Sequence, residues 1–143
     1  MSATKNMDLK RARDRDLYLA FRKALVERGF NSMRDAARHV CSSPAPRFYI
    51  EPKRASDLVG LILANVSLIN LNDSSRRMAW QLYRNYQAWV KEHPDSHLSR
   101  ERIIEILVDE PAPEFYVGPQ MARKIIYKER KKARAKWEKW REY

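Results

Sequence analysis

The sequence predicts an all-α protein that consists of two tandem three-helix repeats and a long basic helix at the C-terminus. Three observations support this prediction. A nine-residue segment occurs twice, apolar residues recur at helical spacing around each copy, and no segment is long enough to build a sheet. The chain has 143 residues, of which 44% are hydrophobic, so it can bury the core of one domain or of two very small ones.

The repeated segment has the pattern PAPxFY[IV]xP, in which x is any residue. It reads PAPRFYIEP at residues 44–52 and PAPEFYVGP at residues 111–119, an offset of 67 residues. An internal repeat of this kind indicates a structural unit that occurs twice, here over residues 14–64 and 75–127.

Local signals place three helices in each repeat. Ser32 and Ser99 are suited to the N-cap position. Pro52 and Pro119 are suited to the first helical position, where a missing N–H costs no hydrogen bond. The predicted helices span residues 14–27, 33–42 and 52–64 in the first repeat, and 75–92, 100–108 and 119–140 in the second. The remaining parts are a basic N-terminal arm, a connector and a basic extension of the last helix, at residues 1–13, 65–74 and 128–143.

The protein is strongly basic, and most of the excess charge lies in its last helix. Lys and Arg number 29 against 18 Asp and Glu, which gives a net charge of +11 at pH 7. Residues 121–143 hold ten basic and three acidic residues, whereas residues 17–120 are nearly neutral. This charge favours an acidic partner such as nucleic acid or an anionic membrane surface. The alternative is a solvated helix that only aids solubility.

The composition argues against several functional classes. The single cysteine, Cys41, excludes an intramolecular disulfide framework and is expected to be a small buried apolar side chain. The chain has only three glycines and no Gly-rich phosphate loop. Pro94 lies between His93 and His97 and prevents one helix from presenting both imidazoles to a metal. We therefore expect no catalytic residue, no metal and no cofactor, and a non-enzymatic protein.

Targeting and membrane signals are also missing from the sequence pattern. Residues 1–16 are polar and lack the apolar region of a signal peptide. The longest stretch without charge, residues 58–72, is too short to span a bilayer. A soluble, cytoplasmic protein without a membrane span is expected.

The layout of each repeat resembles the helix-turn-helix class of DNA-binding units. The seven-residue turn PAPRFYI or PAPEFYV is longer than the three- or four-residue turn of that class and is fixed by proline. The resemblance implies that the third helix of a repeat enters the major groove and that residues near its N-terminus read bases. The doubled PAPxFY segment is also similar to segments of small proteins from gut anaerobes and their phages, and this similarity implies no activity.

The candidate nucleic-acid-binding residues lie on the third helix of each repeat. In the first repeat this helix continues as an apolar run at residues 58–63, so we expect it to be buried scaffold. In the second repeat the helix has an apolar stripe with basic residues on its other sides, so we expect it to make most of the contacts. The candidates are Lys53, Arg54, Gln120, Arg123, Lys124, Tyr127, Lys128, Lys131, Lys132, Arg134 and Lys136.

The aromatic residues have two different predicted roles. The PAPxFY rings can fill the core beneath a rigid turn, and we expect at least one deeply buried ring in each copy. The candidates for burial are Phe48, Tyr49, Phe115 and Tyr116. Trp137 and Trp140 lie beyond the repeated unit and must pack on the body of the protein, on a second copy of the chain or on an external partner. Base stacking is one such use.

These observations predict a nucleic-acid-binding protein, with duplex DNA favoured as the partner and a regulatory or architectural role. Phosphate contacts from the basic helix would dominate, and direct base readout would be limited. The main alternative is a structural or interaction module of a phage or multiprotein assembly, in which the helix with Trp137 and Trp140 packs on protein. A third possibility is association with anionic lipid at a membrane surface.

Overall fold

The computed structural model describes the backbone of residues 2–141 and the side chains of residues 7–141. Within this range the chain forms six α-helices and no β-sheet, which confirms the all-α prediction. The helices are α1 (Ser2–Glu27), α2 (Met33–Cys41), α3 (Pro52–Leu63), α4 (Asp73–Glu92), α5 (Arg100–Val108) and α6 (Pro119–Arg141). None of these helices combines the length and the apolar character needed to cross a membrane.

Local sequence sets most of the helix ends. The side chain of Ser32 caps α2 by accepting a hydrogen bond from the Asp35 N–H at 3.1 Å. Ser99 caps α5 in the same way, with a distance of 3.2 Å to the Arg102 nitrogen. These side-chain oxygens satisfy backbone donors that the first turn of a helix leaves without partners.

Helix α1 begins much earlier than predicted. It starts at Ser2 rather than near Asp14, so the described part of the predicted arm at residues 1–13 belongs to this helix. The reason is that no glycine or proline interrupts the chain before Gly29. The helix ends there because Gly29 adopts a φ of 75°, and its N–H donates to the carbonyl of Ala24 at 3.2 Å.

The described chain forms two compact units, and each unit combines segments from both repeats. The first unit contains the beginning of α1 together with α3, α4 and α5, within Met1–Leu9 and Pro46–Ala112. The second unit contains the rest of α1 together with α2 and α6, within Lys10–Ala45 and Pro113–Tyr143. Helix α3 packs on α4 and α5, and α6 packs on α2. Helix α3, the third helix of the first repeat, therefore lies in the same unit as α5, the second helix of the second repeat. In the same way α6, the third helix of the second repeat, lies with α2, the second helix of the first.

The first unit has a core between α3 and the helices that follow it. Leu58, Ile62, Leu68 and Ala79 form a buried cluster. The Nε of Arg100 on α5 donates to the buried Oγ of Ser56 on α3 at 3.2 Å.

The prediction that α3 is buried nearly all round is wrong at two positions on this unit. Leu61 is 37% exposed and Leu63 is 49% exposed. Leu61 lies on the same side of α3 as the exposed Arg54 and Asp57, and Leu63 is the last residue of the helix.

The second unit has a core that joins α1, α2 and α6. Its buried side chains are Leu17 and Phe21 on α1, Ala36, Ala37, Val40 and Cys41 on α2, and Ala122, Ile125 and Ile126 on α6. Cys41 is 6% exposed, which confirms its expected role as a small buried side chain. This core fixes the orientation of α6, the helix that carries most of the basic charge.

The two PAPxFY turns occupy the points at which the chain passes from one unit to the other. Those points fall between Ala45 and Pro46 and between Ala112 and Pro113. Phe48 is fully buried and Phe115 is 2% exposed, which confirms that each turn places a ring in a core.

The turns differ in backbone shape at one position. Tyr116 has a φ of 56°, whereas Tyr49, its counterpart in the first turn, does not adopt a positive φ. Tyr116 is also buried, at 8% exposed, while Tyr49 is only partly buried. The doubled sequence segment therefore does not impose one backbone conformation along its whole length.

Candidate nucleic-acid interface

Helix α6 presents a basic surface on the side opposite its buried residues. Ala122, Ile125 and Ile126 face the core of the second unit. At 3.6 residues per turn, the positions on the other side fall within an arc of about 100°. The same arc continues beyond residue 134 with Glu138 and Arg141. We call its first part the basic face of α6, and this face consists of Gln120, Arg123, Lys124, Tyr127, Lys131 and Arg134. All six are exposed except Arg123, which is partly exposed.

The cations of the basic face are available to an external anion. Among the side chains that the structure describes, none of its four Lys and Arg residues forms an ion pair. Tyr127 lies among them with 52% of its surface exposed. An exposed aromatic ring surrounded by cations can contact both the phosphates and the bases of a nucleic acid.

Lys128, a predicted phosphate contact, instead takes part in the fold of the second unit. Its ammonium group donates to Oδ2 of Asp14 on α1, whose side chain is 3% exposed. The same carboxylate accepts from Nη2 of Arg13 at 3.0 Å. The sequence offers no signal for this contact, because 114 residues separate Asp14 from Lys128.

Two further predicted contacts, Lys132 and Lys136, are exposed but lie off the basic face. The ammonium group of Lys132 lies 3.1 Å from Oε2 of Glu129, three residues earlier on α6. Lys136 lies about 160° around the helix from Gln120, in line with the buried residues of the earlier turns.

Lys53 and Arg54, the predicted contacts of the first repeat, lie at the start of α3 in the first unit. Both side chains are exposed. The other nine predicted residues all belong to the second unit, on α6. The structure therefore places the predicted set on two separate compact units.

The two tryptophans of α6 do not pack on the described body of the protein. Trp137 is 57% exposed and Trp140 is 77% exposed. The guanidinium group of Arg141 lies 5.1 Å from the centre of the Trp137 ring, which is a cation–π distance. The structure therefore contradicts one of the three predicted packing sites for these rings, the body of the protein. The reason is that α6 extends past the helices that cover its first turns.

Two arginines on α2 belong to the same surface and were missed by sequence reasoning. Arg34 and Arg38 line a cleft of about 490 Å³ together with Gly118, Pro119, Gln120 and Arg123 at the start of α6. They are four residues apart, so they project from one side of α2. That spacing was the only sequence signal, because α2 and α6 belong to different repeats and their contact cannot be read from local sequence.

A larger groove of about 930 Å³ lies on the other side of Arg38, lined in part by Arg28, Phe30 and His39. Here the side chains contact one another. Nη1 of Arg28 lies 2.7 Å from Nδ1 of His39, and the rings of Phe30 and His39 are 5.4 Å apart. Over the part of the chain that the structure describes, no group of three or more His, Cys, Asp or Glu residues could hold a metal ion.

Comparison with known proteins gave no match to a family model, to a curated protein or to a solved structure. The function is therefore inferred from the surface itself. The feature that stands out there is a row of cations that no described carboxylate neutralises, on a helix fixed by its core.

Proposed function

We propose that the protein binds nucleic acid, with duplex DNA as its favoured partner, through the basic face of α6. The observation that carries the proposal is the row of unpaired cations on the exposed side of a helix whose first turns are buried on the other side. An α-helix of 23 residues is about 34 Å long, and it has the width that the major groove of DNA admits. The role is regulatory or architectural and not enzymatic.

The composition of the basic face favours phosphate contacts over base readout. Lys124, Lys131 and Arg134 supply charge along several turns, and contacts to phosphates carry no sequence information. Only Gln120 and Arg123, near the N-terminus of α6, have side chains that commonly form paired hydrogen bonds with base edges. Binding should therefore be tight at low salt and only weakly dependent on sequence.

The proposal is tested by removing charge from the basic face. The variant Lys124→Gln/Lys131→Gln/Arg134→Gln should bind a random-sequence DNA duplex more weakly, and the slope of log affinity against log salt should fall by roughly 2 to 3. Fluorescence anisotropy at several salt concentrations measures both quantities. An unchanged affinity and slope would refute the proposal.

A matched control separates the position of the charges from their number. Lys10, Lys23 and Lys91 are exposed, lie outside the basic face and form no ion pair with any described side chain. The variant Lys10→Gln/Lys23→Gln/Lys91→Gln loses the same charge as the basic-face variant. It should keep most of the affinity of the parent protein. Equal losses in both variants would mean that net charge, and not the basic face, determines binding.

The exposed tryptophans favour a second candidate function, that of an interaction module. Two large rings near the end of α6, surrounded by lysines and arginines, fit a protein partner with an acidic and partly apolar surface. If the parent protein fails to bind duplex DNA at low salt, this function replaces the first. The variant Trp137→Ser/Trp140→Ser should then lose the protein partner while keeping its helical content.

A further inference from the structure

We infer that Arg34, Arg38 and Arg123 form an oxyanion site that holds one phosphate group of the nucleic-acid backbone. This inference rests on the proposed function and deepens it. It assigns a binding role to two residues of α2, a helix that the sequence analysis left without one.

Three arginines from two helices line one cleft. Arg34 and Arg38 come from α2, and Arg123 comes from α6. The other lining residues are Gly118, Pro119 and Gln120, so the cleft contains no carboxylate. Guanidinium groups present paired N–H donors whose spacing matches the oxygens of a phosphate.

The fold holds these arginines together and gives them no counterion. Ala36, Ala37 and Val40 bury the opposite side of α2, and Ala122 and Ile126 bury that of α6. Neither helix can therefore turn its arginines away from the cleft without uncovering its buried residues. Like charges that line one cleft repel one another, and a bound anion reduces the repulsion.

A few cations in the same unit are matched by a carboxylate. Arg13 and Lys128 share Asp14, and Lys132 lies beside Glu129. Among the described side chains, by contrast, no acid pairs with any of the three arginines of the cleft. Asp35, which lines the adjoining groove with Arg38, forms no ion pair with it, so the arginines of the cleft can bind an external anion.

The position of the cleft indicates where the phosphate comes from. Gln120 and Arg123 belong both to the cleft and to the basic face of α6. A phosphate in the cleft therefore lies at one end of the row formed by Lys124, Lys131 and Arg134. A polymer of phosphates can fill the cleft and continue along this row, which a small phosphorylated molecule cannot do.

The test uses the full-length variant Arg34→Gln/Arg38→Gln, which leaves Lys124, Lys131 and Arg134 unchanged. Its affinity for a random-sequence duplex should fall roughly tenfold, and its salt slope should fall by roughly 0.9 because one phosphate contact is lost. The control Lys10→Gln/Lys23→Gln removes the same charge elsewhere in the unit and should bind as the parent does. Both replaced arginines are exposed, and circular dichroism checks that the variant remains folded.

A second variant, Arg34→Lys/Arg38→Lys, keeps the charge but loses the planar paired donors. It should retain the salt slope of the parent while its affinity falls. An Arg34→Gln/Arg38→Gln variant that binds duplex DNA as well as its lysine control would overturn the inference and leave the proposed function intact.

Inorganic pyrophosphate distinguishes the two sources of phosphate. Phosphorus-31 NMR should show broadening of the pyrophosphate signal by the parent protein and a loss of this broadening in the Arg34→Gln/Arg38→Gln variant. If the parent protein shows this broadening but does not bind duplex DNA, the proposed function fails and the inferred nucleic-acid source fails with it. The cleft would then be a site for a small phosphorylated ligand.

Discussion

The carboxylate of Asp14 is almost completely buried, and two cations from different parts of the chain meet it. Lys128 reaches it from α6, and Arg13 lies next to it on α1. A buried carboxylate requires such partners, because burial removes the water that would otherwise solvate its charge. This contact fastens α6 to α1 within the second unit.

Replacing Lys128 tests this role directly. Lys128→Met should lower the free energy of unfolding by about 1 to 3 kcal/mol, since Asp14 then keeps only Arg13 as a charged partner. Lys132→Met removes a cation one helical turn later, whose partner Glu129 lies on the same helix, and should change stability by less than about 0.5 kcal/mol. Urea unfolding of both variants makes the comparison. Equal effects would show that the contact with Asp14 contributes nothing particular.

The difference between Lys128 and Lys131 shows why the ion pairs of single lysines were hard to predict. Both lie in the basic segment of α6 and are equivalent in composition and local spacing. Both are exposed, but Lys128 forms an ion pair with a buried carboxylate, whereas Lys131 forms none with any described side chain. The two lysines differ because Asp14 lies beside Lys128, and only folding brings these two residues together.

Helix ends depend on local sequence, and here the sequence predicted the structure well. Ser99 places the start of α5 at Arg100, and Pro119 places the start of α6, as expected. Both signals act within a few residues of the helix end, so distant packing hardly alters them. The start of α1 was missed for a related reason, because the sequence there contains no feature that stops a helix.

Gly29 provides a test at the level of one helix end. Its φ of 75° disfavours any residue with a Cβ atom, although nothing lies within 4 Å of the space that the Cβ would occupy. Gly29→Ala should therefore destabilise the protein by about 1 to 2 kcal/mol through backbone strain alone. Thermal or urea unfolding measures the loss.

Gly29→Asn serves as the comparison for that substitution. Asparagine adopts the left-handed conformation more readily than alanine, so its cost should be clearly smaller. If alanine and asparagine are tolerated equally, the conformation of Gly29 does not limit stability.

The exchange of third helices between the repeats is a property of the whole molecule that the sequence could not reveal. The PAPxFY repeat predicts helices and turns, because these depend on neighbouring residues. It does not determine whether α6 packs within its own repeat or on α2, because both arrangements would bury Ala122, Ile125 and Ile126. The cleft with Arg34 and Arg38 exists only because α6 packs on α2. It was not predicted because this packing was not predicted.

A single cut in the connector tests the exchange. If a protease site is introduced at Ile69–Asn70 and cleaved, the two fragments should stay together in gel filtration without denaturant. The reason is that α3 of the first fragment packs on α4 and α5, and α6 of the second packs on α2. Ile69 is 75% exposed, so the site is accessible. Separation of the fragments under native conditions would contradict the observed packing.

The order of the segments along the chain also has a consequence for the protein during its synthesis. All residues of the first unit have been synthesised once the chain has reached Ala112. The second unit needs residues from 113 onward. The apolar side of α2, with Ala36, Ala37 and Val40, is therefore not covered by α6 while the first unit folds. Helix α6 can therefore cover this side of α2, and its own basic face can be fixed in place, only after residues 113 onward have been synthesised.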